Sequence, residues 1–218
     1  MSFKPVESLS EQIASHLAKK IIKGELKSKE RVQELRIASE LDVSRGSVRE
    51  ALLILERRHL VDIIPRRGAL VTEITIENIT SLYEVYGQLL ELLISKVTVK
   101  WENTDLETLV KKFEVMRTAK SSGEQLVRVF ELGFEIMEQG LVIVDNPYLT
   151  ETLANFKPII QRTYYLALQS QKGDLQDSVE FFGSLLDSVL KRDVGAGAEI
   201  IRVYVETQLR EVLNTLES

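Results

Sequence analysis

The feature that most limits this fold is one pair of short β-rich runs in a chain that otherwise repeats at helical spacing. Val61-Asp-Ile-Ile64 and Ala69-Leu-Val-Thr72 flank Pro65-Arg-Arg-Gly68. Proline and glycine in a short connection between such runs predict a β-hairpin, here with two arginines at its tip. Beyond about Thr75 helical periodicity runs almost throughout, and no further strand is convincing. The fold class is therefore mainly α, with one small β element ahead of a long helical stretch.

Three helices precede the hairpin. Ser8-Leu-Ser-Glu11 is a capping-box pattern, followed by a stripe of Leu9, Ile13, Leu17 and Ile21 and a stop at Gly24. A short second helix spans about Gln33 to Glu40, with Leu35, Ala38 and Leu41 expected inward. Asp42-Val43 makes a tight connection, and Ser44 is a good N-cap for a third helix whose inner stripe is Val48, Ala51, Leu52 and Leu55. Three helices and a hairpin are the layout of a winged helix-turn-helix, placed at residues 1–75.

Residues 76–218 read as an all-helical, antiparallel bundle, with helices near 77–101, 105–121, 124–144, 147–171, 175–192 and 194–216. Thr104-Asp-Leu-Glu107 is a capping box, Asn146-Pro147 pairs an N-cap with Pro at the first helical position, and Asp174 and Asp193 can cap the last two helices. Pro158 lies inside a helical stretch and predicts a kink.

Charge divides in the same place. The first 75 residues hold 14 Lys/Arg against 11 Asp/Glu, and the remainder 14 against 22. A mildly basic front and an acidic back suit different partners. Cysteine is absent, so disulfides, thiolate metal sites and a Cys nucleophile are excluded; this fits a reducing, cytoplasmic setting. No apolar run approaches the ~18 residues of a membrane span, and the N-terminus lacks the apolar core of a signal peptide.

Arg45 and Arg49 open the third helix, four apart and away from its inner stripe. Cations in a helix's first turns oppose the macrodipole by about 0.3–1 kcal/mol each. A pair like this on an outward face is ordinarily just solvated. Here it starts the third helix of a helix-turn-helix, and a second pair, Arg66 and Arg67, tips a hairpin. A recognition helix puts its N-terminal residues at base edges in the major groove, where Arg reads guanine bidentately. Ser44 and Ser47 suit phosphates, and Gly46 allows close approach. Lys27, Lys29 and Arg31 add general phosphate attraction.

The stretch Glu34-Leu-Arg-Ile-Ala-Ser-Glu-Leu-Asp-Val-Ser-Arg-Gly-Ser-Val-Arg-Glu-Ala-Leu52, followed by Arg67-Gly-Ala-Leu-Val71, resembles the DNA-binding domain of GntR-superfamily bacterial transcription regulators. The resemblance implies that Ser44, Arg45, Ser47, Arg49 and Gly68 contact operator DNA. Fatty-acid-responsive relatives carry an Arg where this chain has Leu35, with Arg36 next door. Leu82-Tyr-Glu-Val85, Phe130-Glu-Leu-Gly-Phe-Glu135 and Asn146-Pro-Tyr-Leu149 resemble the effector domain of the FadR subgroup.

In that subgroup many members hold a divalent metal through one Asp and three His. The matching positions here are Glu131, Glu135, Phe182 and Tyr204. The chain's two histidines, His16 and His59, both lie in the first 75 residues, so a three-His site within one helical domain is impossible. No metal and no cofactor are expected. Glu131 and Glu135 stand four apart, which leaves a weak cation site or pairing to a nearby Arg or Lys as alternatives. Phe182, Tyr204, Phe134, Tyr164 and Tyr165 suggest an aromatic effector cavity or ordinary bundle core. Metal-free members that respond to acyl-CoA match the run Asn155–Tyr165 loosely, and Arg162 is then a counter-ion for an acid or phosphate.

The expectation is a non-enzymatic, ligand-responsive transcription regulator. It would bind palindromic double-stranded operator DNA as a homodimer, controlled by a small-molecule effector such as an acyl-CoA or organic acid. Glu131, Phe134, Glu135, Arg162, Tyr165, Phe182 and Tyr204 would line the effector site. The alternatives are a metal-dependent regulator using Glu131/Glu135 and a helical protein-interaction module. An enzyme reading finds no Gly-rich phosphate loop, no G-x-S-x-G, no Cys and no His in the back half.

Overall fold

A computed structural model describes residues 7–118, 123–170 and 175–217. The chain forms two compact units, Met1–Thr75 with Asn155–Leu166, and Ile76–Ala154 with Ala167–Ser218.

In the first unit α1 (Leu9–Ile22), α2 (Glu34–Glu40) and α3 (Arg45–Arg57) pack around a shared core. Ser8 caps α1 by accepting from the Glu11 N–H, while the Glu11 carboxylate accepts from Arg58. Ile13, Leu17 and Ile21 are buried, whereas Leu9, expected on the same stripe, stays half exposed at the first turn. Gly24, at φ +75°, ends α1 in the left-handed region where glycine carries no Cβ penalty. On α2 the inward residues are Ile37 and Ala38; Leu35 is turned outward at 58% exposure. Ile37 lies two residues further on and covers the side that Leu35 leaves. Val48, Ala51, Leu52 and Leu55 are all buried, as the third helix's stripe predicts.

The β element is larger than a hairpin. β1 (Arg31–Val32), β2 (Val61–Ile64) and β3 (Gly68–Val71) form an antiparallel sheet in the order β1-β3-β2. Two residues are too few to show alternation, which hid β1 in the sequence. Its register sets Arg31 opposite Leu70 and Val32 opposite Ala69. The Lys29 N–H to Val71 C=O and Val71 N–H to Glu30 C=O bonds extend the pairing.

The second unit takes α4 (Ile76–Lys100), α5 (Asn103–Arg117), α6 (Gly123–Val144), α8 (Leu175–Leu190) and α9 (Val194–Glu217), with the two ends of α7 (Pro147–Ser170). α4 packs against α9, α6 and α8, and α5 against α6 and α8. Asn146 caps α7 by accepting from the Tyr148 and Leu149 N–H groups, and Asp193 caps α9 by accepting from Ala196 N–H. α5 starts earlier than Thr104 suggests, because the Asp105 carboxylate reaches back to the Glu102 N–H. Asp174 lies outside the described residues. α7 is helical on both sides of Pro158.

Helix C-termini in this unit are closed by cations. Arg192 donates to the carbonyls of Thr98, Val99 and Trp101 and lies 4.2 Å over the Trp101 ring. Lys100 Nζ donates to the Val144 carbonyl. Each meets carbonyls left unpaired by a helix end, where positive charge is favoured.

Candidate nucleic-acid interface

Ser44 fixes the start of α3. Its Oγ accepts from the Ser47 N–H at 3.1 Å and lies 2.9 Å from the Ser47 hydroxyl. This cap satisfies one of the helix's free N–H groups and points α3's first turn at solvent. Arg45 is exposed there, and Gly46 beside it keeps that turn narrow. One turn on, Arg49 extends from the same face and pairs with Glu34 at 2.8 Å while staying 69% exposed. Arg36 on α2 pairs with Glu40 at 2.7 Å, also in solvent. Exposed pairs of this kind are worth about 0–1 kcal/mol and exchange easily for a phosphate or guanine.

The wing turn has a specific geometry. Arg67 N–H donates to Ile64 C=O, closing a turn with Pro65 second and Arg66 third. Pro favours the second place, and the third needs a positive φ in a type II turn. Arg66 takes that place at φ +66°, where a side chain costs about 1–2 kcal/mol. Gly68 follows at φ +81°, and the Arg31 guanidinium lies 3.7 Å from the point a Cβ at Gly68 would occupy. Arg31 therefore belongs to the wing and not only to a diffuse basic surface. Its pairing through β1 is what sequence reasoning missed. Arg45, Arg66 and Arg67 carry no ion pair among the described residues.

The expected effector residues separate. In the second unit, Glu135 accepts from Lys112 at 2.6 Å and Arg128 at 2.8 Å, and exposed Glu131 lies 3.7 Å from Arg128. The Lys112 hydrogen bond, joined by that of Arg128, holds the Glu135 carboxyl below the usual carboxylate range despite partial burial. Phe134 is buried and meets Phe130 edge-on at 4.9 Å. Phe182 lies so close to α6 that a Cβ on Gly133 would sit 2.8 Å from its ring. Phe181, unnoticed in the sequence, links the group: it meets Phe182 edge-on at 4.7 Å and stacks on Tyr204 at 3.9 Å.

These four positions do not fit a metal. Two bear aromatic rings packed on neighbours, and Glu135 is already neutralised by two cations. Among the described residues no group of three His, Asp or Glu side chains converges on one point. Arg162 and Tyr165 belong to the first unit instead. Arg162, read above as the counter-ion of an effector, donates to the Thr72 carbonyl at 2.7 Å and the Ser28 hydroxyl at 2.9 Å. Sequence spacing gave no sign of this, since its partners lie about ninety or more residues away. Among the described residues no helix is long and apolar enough to cross a membrane.

Known families match the chain in two stretches, the second of which runs through residues 155–166 of the first unit. The family described as "Bacterial regulatory proteins, gntR family" matches residues 9–71, and the "FCD domain" family matches residues 81–207. The chain is 28% identical over 180 residues to the gluconate operon transcriptional repressor of Bacillus subtilis (strain 168), covering 81% of this chain and 71% of that protein. It is 26% identical over 149 residues to the HTH-type transcriptional regulator YdhC of the same organism, covering 68% and 66%. The chain thus spans about two thirds of the length of these relatives. Among solved structures, E. coli McbR/YncC superposes with a TM-score of 0.80 at 17% identity, over 96% of this chain and 99% of that one. A likeness at that identity speaks for the fold alone.

Proposed function

The chain belongs to the GntR family of DNA-binding transcription regulators and carries an FCD effector-binding domain, and from that premise we propose that it is a FadR-subgroup regulator that binds a palindromic operator as a homodimer under control of an organic-acid effector. Arg45, Arg49, Ser44, Ser47 and Gly46 would face the major groove. Arg36 would lie on the flanking backbone, and Arg66, Arg67 and Gly68 would enter the minor groove. The observation that carries this is the capped start of α3, which holds two exposed arginines on one face with only a weak competitor for Arg49.

The homodimer reading draws support from α4. Val85, Leu92 and Val99 fall seven apart and are 49%, 43% and 65% exposed. An apolar seam of that period suits a second helix of the same kind. The effector is assigned to the aromatic group of Phe130, Phe134, Phe181, Phe182 and Tyr204 with the Lys112–Glu135–Arg128 ion pairs beside it. An organic acid is favoured because its carboxylate can replace that of Glu135 on cations already in place. The relationship to a gluconate operon repressor agrees with an acid effector.

The test begins with selection of duplexes from a randomised pool, followed by gel shift across a salt series. Specific binding that weakens steeply with salt is expected, since each phosphate contact releases a counterion. Binding without sequence preference, or binding indifferent to salt, would remove the reading. Native mass spectrometry of the purified chain tests the rest: a dimer carrying an organic acid is expected. A stoichiometric transition metal would overturn the metal-free assignment.

A further inference from the structure

A buried guanidinium inside the DNA-reading unit is not explained by any groove contact. Arg162 sits in the middle of α7, in the segment 155–166 that forms part of the first unit, and is 6% exposed. Its Nη1 donates to the Thr72 carbonyl and its Nη2 to the Ser28 hydroxyl. Thr72 is the first residue after β3, and Ser28 lies in the turn that leads into β1. The intervening rungs are the Lys29–Val71 and Val71–Glu30 backbone bonds, with a Lys29–Glu73 ion pair outside them. Arg162 therefore adds one more crosslink to the end of the β1–β3 pair opposite the wing turn.

We propose that Arg162 is a positioning residue for DNA reading: by tying Ser28 to Thr72 it sets the pose of the sheet that carries Arg31, Arg66 and Arg67, without touching DNA itself. Three further facts agree. The same α7 segment meets the end of α3 through Phe156, whose ring lies 5.4 Å from that of His59. Ile159, Ile160 and Thr163 around it are buried, so the segment is packed in place. Burial lowers the Arg162 pKa to about 10, with Asp62 on β2 opposing that fall, so the side chain remains charged at neutral pH. The reader accordingly needs residues 155–166 as well as 1–75, and a shift of α7 along its axis would be felt first at the wing.

The experiment uses the full chain and a duplex that the wild-type protein selects from a randomised pool. Arg162→Met keeps the side chain's bulk and removes its donors; Arg162→Lys keeps the charge. Arg162→Met is expected to weaken binding about tenfold. Hydroxyl-radical footprints should fade at the wing-protected nucleotides while protection by α3 persists, with partial recovery in Arg162→Lys. The slope of affinity against salt should fall by no more than the wing arginines' own contacts, because Arg162 makes none. Uniform fading of both footprints would overturn the proposal.

Should Arg162→Met fail to fold, Ser28→Ala removes one acceptor only and should weaken binding two- to threefold with the same wing-selective footprint. Thr72→Val keeps the backbone acceptor and should bind as wild type. Hydrogen exchange at the Lys29 and Val71 amides reads the tie without DNA. Faster exchange there in Ser28→Ala supports the crosslink, and unchanged exchange overturns it even if no duplex is ever selected.

Discussion

Arginine and lysine do different work at the DNA-reading surface and at the helix ends of the second unit. On α2, at the start of α3 and at the wing turn the arginines stand in solvent, and where they have a partner it is a single carboxylate of α2: Glu34 for Arg49, Glu40 for Arg36. In the helical unit Arg192, Lys100 and Lys112 instead bind acceptors within the fold. Arg192 closes the end of α4, Lys100 the end of α6, and Lys112 ties α5 to α6 through Glu135. The chemistry of the side chains is the same. What differs is the partner: a single carboxylate paired with one exposed arginine yields to DNA, whereas helix-end carbonyls and a carboxylate bonded to two cations hold theirs.

The contrast breaks most visibly at Arg45 and Arg49. Changing either to Ala should cost about 1–3 kcal/mol of specific duplex affinity, the worth of one good base contact. Thermal stability should change by under about 0.5 kcal/mol, as for surface positions generally. Fluorescence anisotropy beside a melting curve decides it, and equal losses in both would place these arginines with the structural cations.

Arg192→Ala should reverse that pattern. Its three carbonyl contacts and the Trp101 face are partly exposed, so a loss of about 1–2 kcal/mol in unfolding free energy is expected. Urea unfolding measures it. A variant as stable as wild type would show that the guanidinium only decorates the helix end.

The Glu135 pair gives a pH test. Its carboxyl is held below the ordinary value in the folded chain, so its stabilisation is complete above the unfolded carboxyl's range and is lost as pH falls through the lower folded value. Wild type should lose stability on acidification below about pH 4.5, the ordinary carboxyl value, and Glu135→Gln should flatten that limb. Parallel acid limbs would mean that Lys112 and Arg128 contribute nothing through it.

Arg66→Gly should have only a small effect on folding. Relief of the positive φ should offset the greater freedom of glycine in the unfolded chain, leaving stability within about 1 kcal/mol of wild type. Duplex affinity should nevertheless fall. A glycine variant that binds as well as wild type would reduce the wing arginine to a tolerated strain.

Some of this was plain in the residues. Ser44 before an apolar stripe of period 3.6, and Pro-Arg-Arg-Gly between two β runs, are local patterns whose physics is settled within a few positions. So are Asn146-Pro147 and Asp193, because a cap needs only its own first turn. Leu35 and Leu9 were placed on the wrong side because the stripes of a short helix and of a first turn are defined by too few residues. β1 was invisible because a two-residue strand exists only through its partner. Arg162 meets a related limit: charge and position suggest a ligand's counter-ion, while the acceptors it bonds are a carbonyl and a hydroxyl far away in sequence.

The sequence by itself determined most of the helices, the caps at Ser8, Ser44, Asn146 and Asp193, the hairpin with its arginine tip and the absence of histidine ligands in the back half, since these depend on neighbours a few residues away. Only the tertiary structure decided that Glu135 is held by Lys112 and Arg128, that Phe181 links Phe182 to Tyr204, and that Arg162 ties Ser28 to Thr72. Those contacts join residues brought together by packing, and a linear pattern carries no information about which distant groups will meet.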